Sequence, residues 1–344
     1  AGVETVNIDA NAALTIEGTA DNDAFNVTPV NANNDGSFDH SGSNGIAFHY
    51  TDAATVTFNG GGGTVDQLNI LGDADADTIT STAASVTVDT SEVTLGNGLE
   101  VISVLGIGGD DNIDLSTLGV AATIRGGDGN DTLVGTPQVD DIFGGAGNDT
   151  ITGGLGNDNL FGDADSDTLI WNNGDGSDLI EGGTGTDSVT VNGAGVAANG
   201  DNFVVRANGS RVSFERTNLG LFTLDIGQVE QLNVNTGDSD GVVPDEVVVN
   251  SLLGTELAFV NVDGGPDSDN ALIVNATDAA ENITIGAIPS GVLGEAIFGL
   301  AALVTMTNFG GLSGDNLTIN GLGGNDVIDG SANGLFNPAR FIFN

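Results

Sequence analysis

The sequence predicts an all-β protein built as a parallel β-solenoid with a central β-roll. Three observations support this fold: a nine-residue repeat rich in glycine and aspartate between residues 126 and 189, a looser strand-turn-strand repeat on both sides of it, and little helical periodicity. Such repeats bury their apolar faces by stacking coil upon coil. We therefore predict β-solenoid repeats over 1–121, the β-roll over 122–192, and β-rich repeats, solenoid or sandwich-like with an uncapped C-terminal strand, over 193–344.

The first predicted segment carries the looser repeat, in which an alternating apolar strand is followed by glycine, and an aspartate lies five residues after that glycine. It occurs with the pairs Gly18 and Asp23, Gly72 and Asp77, and Gly106 and Asp111, and again in the third segment with Gly321 and Asp326. The alternation predicts strands with one buried face, and the glycine predicts a tight turn. One stretch, 292–304, resembles a helix in composition, and we interpret it as a strand or a short insertion.

The central segment repeats the pattern GGxGxDxUx, where U is a large apolar residue, and four units follow it closely, at 126–134, 144–152, 153–161 and 182–190. Aspartate fills the sixth position throughout, at Asp131, Asp140, Asp149, Asp158, Asp167, Asp178 and Asp187. The apolar position recurs at Leu133, Ile142, Ile151, Leu160, Leu169, Ile180 and Val189. Each unit is therefore predicted to be a tight turn followed by a short strand with one inward apolar side chain.

Two such units make one coil, so alternate turns should stack on the same side of the roll. Between stacked turns, glycine carbonyl groups and two aspartate carboxylates would form a cage of oxygen atoms. Hard oxygen ligands suit calcium rather than zinc or copper. The predicted cofactor is therefore Ca²⁺, bound as several ions.

This repeat resembles the repeats-in-toxin (RTX) calcium-binding β-roll, over about 65 of the 344 residues. We expect the ligands to come from Gly127, Gly129, Asp131, Asp140, Gly145, Gly147, Asp149, Gly154, Gly156, Asp158, Asp165, Asp167, Gly176, Asp178, Gly183, Gly185 and Asp187. The expected ion-binding pairs are Asp131/Asp149, Asp149/Asp167 and Asp158/Asp178. Asp140/Asp158 and Asp167/Asp187 are expected to be weaker, because the units at 135–140 and 162–167 have lost glycines. The resemblance also extends to large bacterial surface proteins, which implies a secreted or surface-displayed structural protein.

Charge and composition point to the same compartment. The chain has 49 acidic residues against 5 basic ones, a formal net charge of -44, and no cysteine. Divalent cations would relieve the self-repulsion of such a chain, and millimolar calcium is an extracellular condition. Nucleic-acid binding is not expected at this charge, and no apolar run is long enough to predict membrane insertion.

The third segment contains one break in the repeat, where residues 203–205 and 211–216 predict a hairpin around Asn208 and Gly209. We expect its arginines to pair with local carboxylates. Residues 102–119 recur as 317–334, which indicates an internal repeat. Apolar strands near both ends, including Val6 and Phe341, predict head-to-tail association with further copies of the chain.

The predicted function is that of an extracellular, calcium-stabilised structural protein of a fibre, surface layer, matrix or adhesion complex. Its expected partners are other copies of itself, with surface polysaccharide as a further candidate, and no enzymatic activity is expected. The alternative is a carbohydrate-active β-helix enzyme or carbohydrate-binding module. Its best catalytic candidates would be His49, Tyr50 and Asp52, but adjacent strand residues face opposite sides, which disfavours a shared cleft.

Overall fold

The computed structural model describes residues 5–9, 14–17, 24–29, 36–40, 47–51, 56–59, 67–89, 91–95, 99–194, 200–218, 220–237, 244–265, 270–279, 282–287, 294–307, 316–323, 326–329 and 341–343. All regular structure in these residues is β-strand, and the chain divides into two compact units, Ala1–Asp167 and Thr168–Asn344. The predicted boundaries at 121 and 192 remain predictions. No helix in this part of the chain is long and apolar enough to cross a membrane.

The strands of the first unit are short and follow one another closely. They are β1 (Thr5–Asp9), β2 (Leu14–Glu17), β3 (Ala24–Pro29), β4 (Gly36–His40), β5 (Ala47–Thr51), β6 (Val56–Asn59), β7 (Gln67–Leu71), β8 (Thr78–Thr82), β9 (Ser85–Val88), β10 (Ser91–Leu95), β11 (Val101–Gly108), β12 (Asn112–Asp114), β13 (Ala121–Asp128), β14 (Thr132–Val134), β15 (Asp141–Ala146), β16 (Thr150–Thr152) and β17 (Asn159–Ala164). Odd and even strands from β11 onward alternate between two sheets, so two successive strands complete one coil.

Most strand pairs of the first unit are parallel. One sheet runs β7-β11-β13-β15-β17 and the other β8-β12-β14-β16, each strand pairing with its counterpart one coil later. The register keeps equivalent repeat positions adjacent: Ile113 lies beside Leu133, and Leu133 beside Ile151. This is the predicted stacking of a parallel β-solenoid.

The second unit is built in the same way. Its strands are β18 (Thr168–Asn172), β19 (Leu179–Thr184), β20 (Ser188–Asn192), β21 (Asn202–Asn208), β22 (Arg211–Arg216), β23 (Phe222–Gly227), β24 (Gln231–Asn235), β25 (Glu246–Val249), β26 (Phe259–Asp263), β27 (Ala271–Asn275), β28 (Asn282–Ala287), β29 (Gly294–Phe298), β30 (Leu303–Thr307), β31 (Asn316–Asn320), β32 (Val327–Asp329) and β33 (Phe341–Phe343). Parallel pairing joins β18-β20-β24-β26-β30 in one sheet and β21-β25-β27-β31-β33 in the other.

In the described ranges, each sheet of each unit also contains one antiparallel meander of three strands. The meanders are β3-β4-β5, β8-β9-β10, β21-β22-β23 and β28-β29-β30. The outer strands of each meander pair in parallel with ordinary coils, for example β8 with β12 and β10 with β6. Each meander adds two strands to the sheet that contains it, and both sheets of a unit contain one. The predicted hairpin at 203–216 is confirmed, and so are strands within 292–304.

The core follows the period of two that the sequence predicts. All seven apolar residues of the nonapeptide units, from Leu133 to Val189, are fully buried, each with an exposed fraction of 0%. Along β7 and β11, Leu68, Ile70, Ile102 and Val104 are equally buried and stack in register. The prediction of an all-β parallel solenoid containing a β-roll is therefore confirmed.

Candidate metal centre

The aspartates that end the turns of the first unit stack in a column along the solenoid. This first aspartate column consists of Asp77, Asp111, Asp131, Asp149 and Asp167, all of them buried. The backbone N–H of each donates to Oδ1 of the next, at 2.7 Å from Asp77 to Asp111 and at 2.8 Å for the three later steps. The structure thus brings together the predicted pairs Asp131/Asp149 and Asp149/Asp167. It also extends the column to two aspartates upstream of the predicted roll.

Numbering each turn so that its aspartate is position 6, the glycine at position 1 provides the space that the carboxylate occupies. A Cβ on Gly106, Gly126 or Gly144 would overlap Oδ2 of the aspartate in its own turn and would lie 2.6–2.7 Å from the position-1 carbonyl oxygen of the next coil. The position-1 glycine is therefore required for close approach. Both oxygens reach the same small space above its Cα atom.

Positions 2 and 4 need glycine for a different reason, which is backbone conformation. The predicted site residues Gly127, Gly129, Gly145, Gly147, Gly154, Gly156, Gly183 and Gly185 all have positive φ. In the fifth unit the lost glycines are replaced by Asp163 and Asp165, which keep the left-handed conformation at φ 75° and 76°. Aspartate tolerates this region better than most residues, so the turn survives and gains two carboxylates. Asp165 is one of the expected ligands, and it lies at the left-handed position 4 of this turn.

The second aspartate column contains Asp140 and Asp158. Asp140 N–H donates to Asp158 Oδ1 at 2.9 Å, so this predicted pair is also brought together. Both oxygens of Asp140 accept hydrogen bonds from the protein: Oδ1 accepts from Ala122 N–H and the Thr136 hydroxyl, and Oδ2 accepts from Thr136 N–H at 2.6 Å. A carboxylate with three such donors has less capacity left for an ion, which supports the prediction that this turn binds calcium more weakly.

Asp111, Asp131 and Asp149 differ from Asp140 at their second oxygen. Oδ2 of each is buried and has no hydrogen-bond partner among the described residues. The position-1 carbonyl oxygen of the next coil, from Gly126, Gly144 or Gly162, lies near each of these oxygens. Both atoms are within 2.7 Å of the point that a Cβ on the position-1 glycine would occupy. Two acceptors that lie close together without a donor repel, and a proton, an ordered water molecule or a cation at such a site would remove this repulsion.

The presence or absence of a donor to Oδ2 correlates with the backbone conformation at position 2 of the turn. Asp73 and Thr136 occupy position 2 without positive φ, and their N–H groups donate to Oδ2 of Asp77 and Asp140. Position 2 has positive φ at Ile107, Gly127 and Gly145, whose turns leave Oδ2 without a donor. We infer that the left-handed conformation turns the N–H away from the carboxylate and leaves that oxygen available to an ion.

Burial shifts the titration of these carboxyl groups. Desolvation by burial is the main cause that raises the pKa of Asp149 to about 7 and that of Asp111 to about 6, and neighbouring column carboxylates add to both shifts. The pKa values of Asp77, Asp131 and Asp140 are raised for the same main reason. The fold therefore holds a line of carboxylates whose charged forms are unfavourable without a cation.

The remaining predicted ligands lie in the second unit. Asp178 and Asp187 are buried; the carbonyl of Asp178 accepts from Asp225 N–H at 3.0 Å, and Asp187 N–H donates to Glu230 Oε2 at 2.8 Å. The carbonyl of Gly176 accepts the indole N–H of Trp171 at 2.9 Å. The predicted pairs Asp158/Asp178 and Asp167/Asp187 each have one member in each unit, and they stay predictions.

A third column in this unit contains Asp201, Asp245 and Asn270, linked by N–H donation at 2.6 and 3.1 Å. Its first carboxylate meets an arginine: Arg216 Nε lies 3.1 Å from Asp201 Oδ1, with both side chains almost fully buried. The guanidinium also lies 5.3–5.6 Å from the ring centres of Trp171, Phe203 and Phe222. Arg206 and Arg211 pair with Glu215 and with Glu181 and Asp225, so the expected local pairing of all three arginines is confirmed.

The donor set of the first column fits calcium. Within the described ranges, no group of three or more histidine, cysteine, aspartate or glutamate side chains converges on one point. Oxygen atoms come instead from one carboxylate per turn and from main-chain carbonyl groups, and calcium accepts six to eight such ligands. Asp131 and Asp149 would hold the ion, and the ion would neutralise their buried charge and join adjacent coils.

A parallel solenoid with stacked, oxygen-lined glycine-aspartate turns defines a calcium-binding repeat protein. The family model of the RTX calcium-binding nonapeptide repeat (4 copies) matches residues 123–138, 134–169, 173–193 and 311–333. The chain therefore carries RTX-type repeats that bind calcium, and the resemblance drawn from the sequence is confirmed. A search of curated proteins found no match.

The last of these matches lies outside the predicted roll. It contains the turn from Gly321 to Asp326, where a Cβ on Gly321 would overlap Asp326 Oδ2 and where Leu322 has positive φ. Asp111 is absent from the predicted ligand set, although its Oδ2 resembles that of Asp131 and Asp149. The signal that finds Asp111 is the five-residue step from glycine to aspartate, which the looser repeat shares with the nonapeptide.

Replacing Ile107 by glycine should stabilise the protein by about 1 kcal/mol. A β-branched residue at φ 86° is strained, at a cost of about 1–2 kcal/mol, part of which is offset by the greater backbone entropy of glycine. Ile107 is 47% exposed, so little burial is lost. Urea denaturation in saturating calcium measures the gain. Ile107→Val keeps the branched Cβ and should show none, and a less stable Ile107→Gly would contradict the argument.

Asp149→Ala should lower the calcium stoichiometry more than Asp140→Ala does. Asp149 Oδ2 has no donor in the part of the chain that the structure describes, whereas each oxygen of Asp140 accepts a hydrogen bond from the protein. Isothermal titration calorimetry on the full chain measures the number of ions bound. Equal losses in the two variants would refute this ranking.

Without calcium, stability should fall as pH rises from about 4 to about 7. The unfolded carboxyl groups titrate near pH 3.9, while burial raises the pKa of Asp149 to about 7 in the folded chain. A raised folded-state pKa gives stability that is complete below the unfolded value and is lost as pH passes the folded value. Thermal melts of calcium-free protein across this range test the sign. Asp149→Asn should have a shallower dependence, and a melting temperature that rises with pH would contradict the expectation.

Proposed function

We propose that this protein is an extracellular structural component that calcium folds and stiffens. The observation that carries the proposal is the line of buried carboxylate oxygens in the first unit, each of which lies close to a carbonyl oxygen of the next coil and has no hydrogen-bond partner among the described residues. A cation at these positions would convert a repulsive contact into a cross-link between coils. Each such link adds stability to the solenoid without a larger hydrophobic core.

The extracellular location is supported by the need for abundant calcium. The chain carries a net charge of -44 and has no cysteine, so neither disulfide bonds nor lysine-rich ion pairing can offset its self-repulsion. Proteins with RTX repeats are typically secreted, which agrees with this requirement. Millimolar calcium outside the cell would keep the sites filled, and the low calcium of the cytosol would leave the chain unfolded during synthesis.

We further propose that copies of the chain associate head to tail, in a fibre, surface layer, matrix or adhesion complex. Coils within each unit add to one another through parallel backbone hydrogen bonds, and an open sheet edge can accept another strand by the same bonds. A heterologous contact of this kind gives an open polymer. Surface polysaccharide remains a second candidate partner, and neither nucleic-acid binding nor membrane insertion is part of the proposal.

Electron microscopy of the 344-residue chain at millimolar calcium, with and without chelator, tests the assembly. Filaments or ordered arrays that disappear on chelation are the expected result. A strictly monomeric folded chain at high calcium would refute self-association while leaving calcium-dependent folding intact. Light scattering over a range of protein concentrations separates the two outcomes.

The alternative of a carbohydrate-active enzyme has weaker support. His49 and Tyr50 are successive residues of β5, and Asp52 lies outside the described residues. The features that are present support a structural role, since the buried ionisable groups of the first column are arranged along the stack and not around a cleft. Hydrolysis or lyase assays on a panel of acidic and neutral polysaccharides would revive this alternative if they gave turnover that His49→Ala abolished.

A further inference from the structure

We infer that a calcium ion binds upstream of the nonapeptide repeats, at the turn formed by residues 106–111. The inference rests on the proposed calcium-binding role of the first aspartate column, and it assigns a site to residues that the RTX family match, beginning at residue 123, does not include. Its central ligand is Asp111, with the carbonyl oxygen of Gly126 on the next coil.

The site has a buried acceptor with no donor. Asp111 is 2% exposed, its Oδ1 accepts Asp77 N–H at 2.7 Å, and its Oδ2 has no hydrogen-bond partner among the described residues. A Cβ on Gly106 would overlap this Oδ2 and lie 2.6 Å from Gly126 O. These are the relations that the family-matched turns make at Asp131 with Gly144 and at Asp149 with Gly162.

The sequence of the turn hides this likeness. Position 2 is Ile107, where the nonapeptide has glycine, yet its φ of 86° reproduces the left-handed conformation of Gly127 and Gly145. No N–H from position 2 therefore reaches Asp111 Oδ2. Position 4 retains a glycine, Gly109, with φ 102°.

One coil further upstream, the turn of Asp77 is not expected to bind an ion. Asp77 Oδ2 accepts Asp73 N–H at 2.9 Å, because position 2 of that turn is not left-handed. The backbone donor of Asp73 thus occupies the place that an ion would take. The two neighbouring aspartates lie in the same column and differ in whether Oδ2 accepts this backbone donor, which makes Asp77 a control for Asp111.

The test compares calcium stoichiometry in the full chain for the wild type, Asp111→Asn, Asp77→Asn and Asp149→Asn, by calorimetry with calcium and by native mass spectrometry. We expect one ion fewer in Asp111→Asn, no change in Asp77→Asn, and a loss in Asp149→Asn. If Asp149→Asn loses calcium and Asp111→Asn does not, the upstream site is refuted and the calcium-binding role stands. If neither variant loses calcium, the role of the column itself fails.

A measurement on the wild type covers the case in which Asp111→Asn does not fold. Long-wavelength anomalous diffraction from crystals grown in calcium should place a peak about 2.3–2.6 Å from Asp111 Oδ2. Peaks beside Asp131 and Asp149 serve as the internal standard. A map that contains those peaks and lacks one at Asp111 would overturn the inference.

Discussion

Removal of calcium should unfold at least residues 126–190. Without the ion, the column keeps buried carboxylates such as Asp131 and Asp149, whose charged forms are disfavoured by burial, inside a chain of net charge -44. The folded state then loses the binding free energy of the ions. Because an ordinary domain is stable by only about 5–15 kcal/mol, this loss is enough to populate the unfolded state. Far-ultraviolet circular dichroism during a calcium titration measures the transition.

The β-sheet signal should disappear in excess chelator and return when calcium is restored. Magnesium at the same concentration should restore it poorly, because magnesium demands octahedral geometry and gives up its water reluctantly. A β-sheet spectrum that survives excess chelator at neutral pH would refute calcium-dependent folding.

Arg216→Ala should destabilise the second unit by about 3–5 kcal/mol, even in saturating calcium. Its partner Asp201 is 1% exposed, and removing one member of a buried ion pair leaves an uncompensated charge in the core. The substitution also removes the guanidinium from the cluster formed by Trp171, Phe203 and Phe222. Urea denaturation monitored by the fluorescence of Trp171, the single tryptophan, measures the loss.

Two variants separate the charge effect from general damage. Arg206→Ala removes an arginine that is 50% exposed in its ion pair with Glu215 and should cost less than about 1 kcal/mol. The double variant Arg216→Met with Asp201→Asn removes both charges and should recover much of the lost stability. Equal destabilisation by Arg206→Ala and Arg216→Ala would contradict the argument.

The repeat itself could be predicted because its residue types have few physical alternatives. Glycine at 127 and 145 marks left-handed turns, and a single apolar residue per strand, such as Ile151, marks the buried face. These local rules are sufficient for a parallel stack. They also predict that Asp140 binds calcium more weakly than Asp149, and the hydrogen bonds from Thr136 give a physical reason for this prediction.

The meanders could not be predicted from the same rules. The hairpin at Asn208 and Gly209 carries a recognisable turn signal, and it was found. The turn between β8 and β9 is formed by Ala83 and Ala84, which carry no such signal. Strand direction there depends on tertiary pairing, which local sequence does not encode. Gly106 and Asp111 predict the turn at 106–111, but Ile107 obscured its likeness to the nonapeptide turns, because the left-handed conformation contradicts the preference of a β-branched residue.

The carboxylate of Asp149 has close neighbours in three consecutive coils. Its Oδ1 accepts the N–H of Asp131 in the coil before, and its Oδ2 lies above Gly144 in its own coil and faces the carbonyl of Gly162 in the coil after. An ion that fixes this carboxylate also fixes an acceptor used by the neighbouring turn. Binding of calcium at one turn should therefore raise the calcium affinity of the next turn. Calcium binding should consequently be cooperative, with a Hill coefficient above one, and the protein should change state over a narrow range of calcium concentration.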